Sequence, residues 1–400
     1  MKVLWFSPTP SCYMKNARGY NGGGWISSLE KQIKSKDGIK LAIAFFHNDE
    51  AFKIEKEGVV YYPIRRNKSF VSRLLRFSFF KREDKKDLEL LKKIVDDFNP
   101  DLIHIWGTEN SLGLVASYKQ IPTIFHLQGL MSPCLNAWLP PNYSLFDYFI
   151  SQGLSPIKIL FRIRAYLFNK HAAKREIEIL KKANAIMGRT EWDKAYSSLY
   201  APQAMYFHCQ EILRDIFYKK EERKLGKKPI IVSTLSGPLY KGHDMVLKTA
   251  KVLKEIGLTD FEWRVFGVNN LRFAEKKTKI KTQDVNVKAC GVVSAESLKQ
   301  ELLQSTAYVH TSYIDNSPNS VCEALLVGVP VVATNVGGVS SIVKDKHNGF
   351  LVPANDPFAA ASKILKIINN DFNFDFTNNI KKVNEIAENV LSIYKSLISI

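Results

Sequence analysis

Short apolar bursts alternate along the chain with longer stretches in which apolar positions recur at helical spacing. Residues 3–6 read as a buried strand that leads into a loop ending in Gly22, Gly23 and Gly24. A helix follows, with Ile26, Leu29 and Ile33 on one face. Residues 41–46 and 59–62 are further strands, and 87–98 is an amphipathic helix stopped by Asn99 and Pro100. Strands at 102–106 and 123–127 flank a short helix near 112–118. Helical spacing then dominates from 145 to 182, before a short strand at 185–188. The charged, turn-rich run 219–228 (KKEERKLGKK) marks a boundary, after which the alternation restarts. Strands are expected at 230–235, 263–267, 285–290, 307–311, 331–334 and 349–352, with helices at 243–256 and 295–303. Near-continuous apolar strands alternating with helices imply parallel sheets covered on both faces. The expected fold class is therefore α/β, two Rossmann-like domains facing across a cleft, with ligands at the C-terminal strand ends. The expected domains are residues 1–205 and 206–382, with a last helix at 383–400 that crosses back to the first.

Composition agrees with a globular chain of this kind: 400 residues, 46% hydrophobic and 24% charged, which excludes a disordered or disulfide-scaffold protein. Charge adds something new. The formal net charge is +18, and residues 1–200 carry 31 basic against 19 acidic side chains. A basic surface suits an anionic partner, although a generally basic proteome would explain it without one. Two segments of the first half, 70–86 and 156–175, combine bases with aromatics in the manner of helices that lie on an anionic membrane surface. The plain alternative is a core-facing stripe with solvated lysines. No nucleic-acid motif accompanies the charge, so no nucleic-acid partner is expected. Cys12, Cys134, Cys209, Cys290 and Cys322 are scattered without a CxxC pair and read as reduced thiols. The opening MKVLWFSPTPSC is too short in its apolar run for a signal peptide, and no uninterrupted run of 18 apolar residues occurs. The expected location is cytoplasmic, peripheral on the inner face of the plasma membrane.

The segment YIDNSPNSVCEALLVGVPVVATNVGG, residues 313–338, carries the chemistry. It reads as strand end, acidic loop, helix and strand, with Ser317 suited to an N-cap, Pro318 to the first helical position and Gly328 to the stop. Val321, Ala324, Leu325 and Gly328 fall on one face and are expected in the core. The N–H groups of Asn319, Ser320 and Val321 would then face outward at the positive helix end, a seat for phosphate. Asp315 precedes this seat and Glu323 follows it. Two carboxylates beside a phosphate seat suit a ligand that also carries hydroxyls, as a sugar nucleotide does. The bland alternative makes Asp315 a turn cap and Glu323 a solvated helix residue.

Asp315 and Glu323, seven residues apart and followed by EALLVGVPVVATNVGG, resemble the E-x7-E signature of retaining glycosyltransferases of family 4, which have the GT-B fold. Asp315 stands where the first Glu is usual, one methylene shorter with the charge kept. The resemblance implies that Asp315 contacts the donor sugar and Glu323 the ribose. LSGPLYKGHDMVLKTA is similar to the family segment whose lysine grips the donor diphosphate, here Lys241. Ser236 occupies the place of a frequent family arginine, so one of two expected cations is missing. Gly267 and Gly291 match glycines where backbone approaches the nucleotide, and Gly22, Gly23 and Gly24 resemble the glycine loop near the donor phosphates. NGFLVPANDP, residues 348–357, matches the closing strand and turn.

LIHIWGTE (102–109), FHLQGL (125–130), the run 188–193, Glu211 and Arg214 are similar to a bacterial polysaccharide-assembly branch of the family. There His126 and Gln128 are expected on the acceptor or donor-sugar side, and Arg189 is an alternative interdomain ion-pair residue. The resemblance implies metal-independent, retaining transfer from a nucleotide sugar, UDP- or GDP-linked, to a glycan or lipid-linked glycan acceptor. No cofactor and no metal are expected, and no Asp-x-Asp pair occurs. The acids flank a phosphate seat and not a glycosidic bond, which argues against hydrolysis. Two other classes stay open: a silent sugar-nucleotide-binding partner of an assembly complex, and a nucleotide-sugar epimerase on the same fold.

Overall fold

The computed structural model describes residues 1–13, 24–47, 52–65, 80–376 and 381–399. Gly22, Gly23 and most of the basic segment 70–86 lie outside these residues. The chain divides into two compact units: 1–135, 163–212 and 381–400 in the first, 136–162 and 213–380 in the second.

In the first unit β1 (Lys2–Ser7), β2 (Lys40–His47), β3 (Ile54–Lys56), β4 (Val59–Arg65), β5 (Leu102–Trp106), β6 (Thr123–His126), β7 (Ala185–Gly188) and β8 (Met205–His208) form one sheet. Its order is β3-β4-β2-β1-β5-β6-β7-β8, parallel except for the short hairpin strand β3. Side chains alternate across a strand, so one apolar strand feeds two cores. Val3 and Trp5 of β1 join a cluster with Ile43, Trp106 and Val390, while Leu4 and Phe6 join Ile94, Ile105 and Ile179 on the other face. The last helix, Val383–Ile398, buries Ile386, Val390, Tyr394 and Leu397 in the first of these clusters. There Trp5 Nε1 donates to the Tyr394 hydroxyl at 3.1 Å, and that hydroxyl also bonds His104 Nδ1.

The second unit repeats the plan with β9 (Ile230–Thr234), β10 (Glu262–Phe266), β11 (Val287–Gly291), β12 (Ala307–His310), β13 (Val331–Thr334) and β14 (Gly349–Val352). The order is β11-β10-β9-β12-β13-β14, parallel throughout. The chain thus has two parallel-sheet α/β units, the fold class that the alternation of strands and helices predicts.

Several details differ from the sequence pattern. The helical run 145–182 is broken into Leu145–Ile150 and Pro156–Leu180, because Gly153 takes a φ of +114° and Pro156 opens the next helix. Residues 136–162 pack with the second unit, so the division falls inside the second of these helices. Asp147 closes a capping box with Ser144 and pairs with Lys277 at 2.9 Å, which fixes this segment against its own unit. Many bases of 156–175 are engaged within the protein. Arg162 lies 4.0 Å over the Tyr148 ring and donates to Ser151, Arg164 faces Phe80, and Arg175 pairs with Asp84 at 2.7 Å. Arg189 pairs with Glu211 at 3.4 Å inside the first unit. All five cysteines are free. Among the described residues no helix is long and apolar enough to cross a membrane.

Candidate functional site

In a doubly wound sheet the ligand crevice opens where the strand order reverses, at the C-terminal strand ends. In the second sheet that point lies between β9 and β12. The loops leaving these two strands carry Lys241 and Asp315. Lys241 ends the tight turn Leu239–Lys241, and Gly242 then takes the left-handed conformation that starts the helix His243–Glu255. Lys241 Nζ donates to Asp315 Oδ2 at 2.7 Å. The loops are tied to each other by Tyr313 N–H to Tyr240 O at 2.7 Å and by Thr311 Oγ1 to Lys241 O at 3.1 Å.

Asp315 is the most heavily bonded acid of this edge. Its Oδ2 also accepts from His310 Nε2 at 3.0 Å and lies 3.4 Å from Ser312 Oγ, while Oδ1 accepts the Asn316 N–H at 3.1 Å. Burial alone would raise its pKa. The Lys241 charge and the His310 hydrogen bond outweigh burial and hold the carboxyl well below the usual range, so it is ionised at neutral pH. Its carbonyl is held as tightly. A Cβ at Gly337, where φ is +52°, would sit 1.9 Å from Asp315 O, and Gly338 N–H donates to that oxygen at 3.1 Å. Only glycine lets the 336–338 turn close on this loop.

The helix after the loop spans Asn319–Val327. Pro318 occupies the capping position, not the first turn, and no side chain caps the helix, which corrects the expectation for Ser317 and Pro318. Val321 N–H donates to Pro318 O at 3.0 Å, so it turns inward and does not belong to an outward set of donors. Ser320 bonds the Tyr308 hydroxyl, which also reaches Thr234 Oγ1 at 2.6 Å. Val321, Ala324 and Leu325 are buried and Gly328 ends the helix at φ +80°, as the spacing predicts.

Glu323 is buried, which sets aside a solvated helix position. Arg214 grips it with both arms, Nε to Oε1 at 2.7 Å and Nη2 to Oε2 at 2.6 Å. Burial pushes the Glu323 carboxyl up, and Arg214 opposes this. Ser236 offers its carbonyl to His243 Nε2 at 2.8 Å. Gly267 N–H donates to Gly291 O at 2.7 Å and Gly291 N–H to Val268 O at 3.0 Å, so these glycines knit the ends of β10 and β11.

In the first unit Gly24 begins the helix Gly24–Ile33. His126 is 1% exposed, stacked on Trp106 at 4.7 Å, and burial holds it neutral with its pKa near 3. Gln128 folds its amide back onto the carbonyls of His126 and Leu127. The structure therefore brings together Lys241, Asp315, Ser320 and Glu323 around the second switch point and leaves His126 sealed in the first unit. Sequence reasoning missed His310 and the Arg214 grip. Arg214 lies in a family-like run, but its partner Glu323 is 109 residues away; His310 is only five residues from Asp315, yet a histidine closing an apolar strand reads as part of the core.

Residues 215–389 match the family model of glycosyl transferases group 1. This segment is a group 1 glycosyltransferase domain. The resemblance read from the sequence is thereby borne out. The amylovoran biosynthesis glycosyltransferase AmsK of Erwinia amylovora is 27% identical over 135 residues, 32% of this chain and 33% of that protein. The alignment thus spans about a third of that relative's length. Two solved structures extend the likeness over both units. The sucrose-phosphate synthase of Thermosynechococcus elongatus superposes with a TM-score of 0.67 at 14% identity, over 99% of this chain and 94% of that one. Anabaena HepE in complex with UDP gives 0.59 at 15% identity, over 100% and 96%. At such identities the likeness is one of fold, and the fold is GT-B.

Proposed function

We propose that this group 1 glycosyltransferase domain works within a retaining, metal-independent enzyme. It would transfer a sugar from a UDP- or GDP-linked donor to a glycan or lipid-linked glycan of a surface polysaccharide. The observation that carries the reading is the Lys241–Asp315 pair at the second switch point, next to the helix that holds Glu323. Transfer breaks the bond from the anomeric carbon to the diphosphate and forms one to an acceptor oxygen. The developing charge sits on the departing diphosphate, where a fixed ammonium and helix-end N–H groups act most strongly. Lys241 keeps two further N–H donors beyond the one given to Asp315. Asp315, ionised and fixed by four partners, is suited to accept donor-sugar hydroxyls. Glu323 has lone pairs left for ribose hydroxyls after Arg214 has taken its two bonds. Retention of configuration follows the family resemblance, and polysaccharide assembly follows the names of relatives such as AmsK.

A thermal-shift panel of UDP-, GDP-, ADP- and CMP-sugars tests the donor site. A ligand that binds only the folded state raises the melting temperature by mass action. The expected result is a shift with UDP- or GDP-sugars that disappears in Glu323→Ala. A flat panel, or a shift that survives in the variant, defeats the site.

Acceptor chemistry at the inner membrane face is part of the proposal. Leu154, Ile157 and Lys158, at the start of the helix Pro156–Leu180, are exposed and offer apolar and basic groups together. Co-sedimentation with vesicles containing anionic phosphatidylglycerol should fall several-fold in the double variant Leu154→Ser, Ile157→Ser. Equal pelleting of variant and parent contradicts lipid contact through this edge.

A further inference from the structure

The first sheet has its own order reversal, between β1 and β5, and one carboxylate stands there without a cationic partner among the described residues. Glu109 lies three residues past β5, partly buried. Its Oε1 accepts the Gly129 N–H at 2.7 Å, and its own N–H and that of Thr108 also face the carboxylate. Among the described residues no lysine, arginine or histidine pairs with it. The neighbouring acid behaves differently. Glu176 is consumed by structure, accepting from Met131 N–H at 2.9 Å, Thr108 Oγ1 at 2.9 Å and Tyr196 OH at 3.1 Å.

The backbone around Glu109 is cleared for a carboxylate. At Gly107, with φ +78°, a Cβ would lie 2.0 Å from Glu109 Oε2, and at Gly129 a Cβ would lie 3.0 Å from Oε1. Arg175 braces the loop from behind, with Nη2 donating to Glu109 O at 2.7 Å while Nη1 pairs with Asp84. Burial pushes the Glu109 pKa up to about 7, with the nearby Glu176 charge acting in the same direction. A group that is costly to ionise, is held in place by neutral donors and lies at a ligand edge is a recognition group more than a stabilising one.

We propose that Glu109 is the carboxylate of a sugar-hydroxyl site at the first switch point, the acceptor-side counterpart of the donor site. This rests on the glycosyltransferase reading. The ligand class follows from the partners. Backbone N–H dipoles already converge on the carboxylate, which weakens its pull on a metal or an amine. The remaining lone pairs suit neutral hydroxyl donors, which a glycan presents in pairs. Glu109 binds and orients a hydroxyl; no proton transfer is assigned to it.

The test uses the full chain. Saturation-transfer NMR reads the binding of the methyl glycosides of glucose, galactose and N-acetylglucosamine, while titration calorimetry with UDP and with GDP reads the donor site in the same samples. In Glu109→Gln the amide oxygen still accepts from Gly129, so the loop keeps its anchor. The expected outcome is at least a tenfold loss of glycoside signal in Glu109→Gln and partial recovery in Glu109→Asp. Nucleotide affinity stays within twofold and the melting temperature does not fall. A glycoside signal equal in parent and variant, or absent from the parent, overturns the site while nucleotide binding keeps the donor reading intact. A parent that binds neither nucleotide overturns the glycosyltransferase reading and this site with it.

Discussion

Lys241→Ala lowers glycosyl transfer by about 10²–10³-fold, the range seen when one preorganised group that stabilises developing charge is removed. The loss falls mainly on kcat, because the charge on the diphosphate grows as the anomeric bond breaks. Stability changes as well, since Lys241 and Asp315 are mostly buried partners 2.7 Å apart. Breaking such a pair from one side costs roughly 3–5 kcal/mol when fully buried, and the figure here belongs at or below the lower end because Lys241 is 23% exposed. The pH dependence has a fixed sign. Asp315 is held below its ordinary value in the folded protein, so its contribution is present above the unfolded pKa of about 3.9 and is lost as pH falls beneath it. Without Lys241 the folded value rises and acid unfolding begins at a higher pH. Urea titrations at several pH values check the stability arm, and release of nucleoside diphosphate in the presence of acceptor checks the rate. The double variant Lys241→Ala, Asp315→Ala recovers part of the lost stability and none of the lost activity. Full activity in Lys241→Ala contradicts the assigned role.

The fold was legible where a strand's periodicity and its burial coincide. Residues 3–6, 102–106, 230–235 and 331–334 are apolar throughout or nearly so, and all four lie in the cores of parallel sheets. β3 and β8 were not legible. β3 is only three residues, Ile54–Lys56, two of them charged, and β8, Met205–His208, ends its sheet with partly exposed side chains. Such strands are recruited by their neighbours more than specified by their own pattern. The helix Arg272–Thr278 was missed for a similar reason, as seven mostly charged residues give little amphipathic signal. The break at 151–155 depends on Gly153, whose φ of +114° overrides a helical spacing that continues on both sides.

The site was legible in its acids and its lysine, because they lie in short runs with turn and helix signals around them. What the sequence could not supply is pairing across loops. Lys241 and Asp315 are 74 residues apart, and Arg214 and Glu323 are 109 apart. His126 shows the converse. A histidine at the end of a strand reads as a ligand group, yet Trp25, His104 and Trp106 enclose it and burial keeps it neutral. Glu109 ends the run LIHIWGTE, and only the absence of a cationic neighbour among the described residues, together with the glycines that clear its oxygens, separates it from an ordinary surface acid.

Arg214→Ala destabilises the chain, because it leaves Glu323 in the interior with neither of its two short hydrogen bonds; the cost lies below the roughly 3–5 kcal/mol of a fully buried pair, since Arg214 is 37% exposed. The sign with pH is opposite to that of Asp315. Burial holds Glu323 above the ordinary glutamate value, so between the unfolded pKa of about 4.3 and the folded one the folded chain binds more protons, and stability falls as pH rises through that window. Removing Arg214 lifts the folded value further and extends the window upward. The deficit of the variant against its parent is therefore larger at pH 8 than at pH 5, as urea midpoints at the two values would read. Arg214→Lys keeps a charge but not the two-pronged geometry, and falls between. Adding Glu323→Gln to Arg214→Ala removes the stranded charge and restores much of the stability at pH 8. It does not restore donor affinity, because an amide in place of a carboxylate accepts ribose hydroxyls on one atom only. Recovery of stability with continued loss of the nucleotide-induced thermal shift separates the two duties of Glu323. Equal stability of Arg214→Ala and its parent at pH 8 would falsify the burial of a charged pair, and with it the positioning of Glu323 by Arg214.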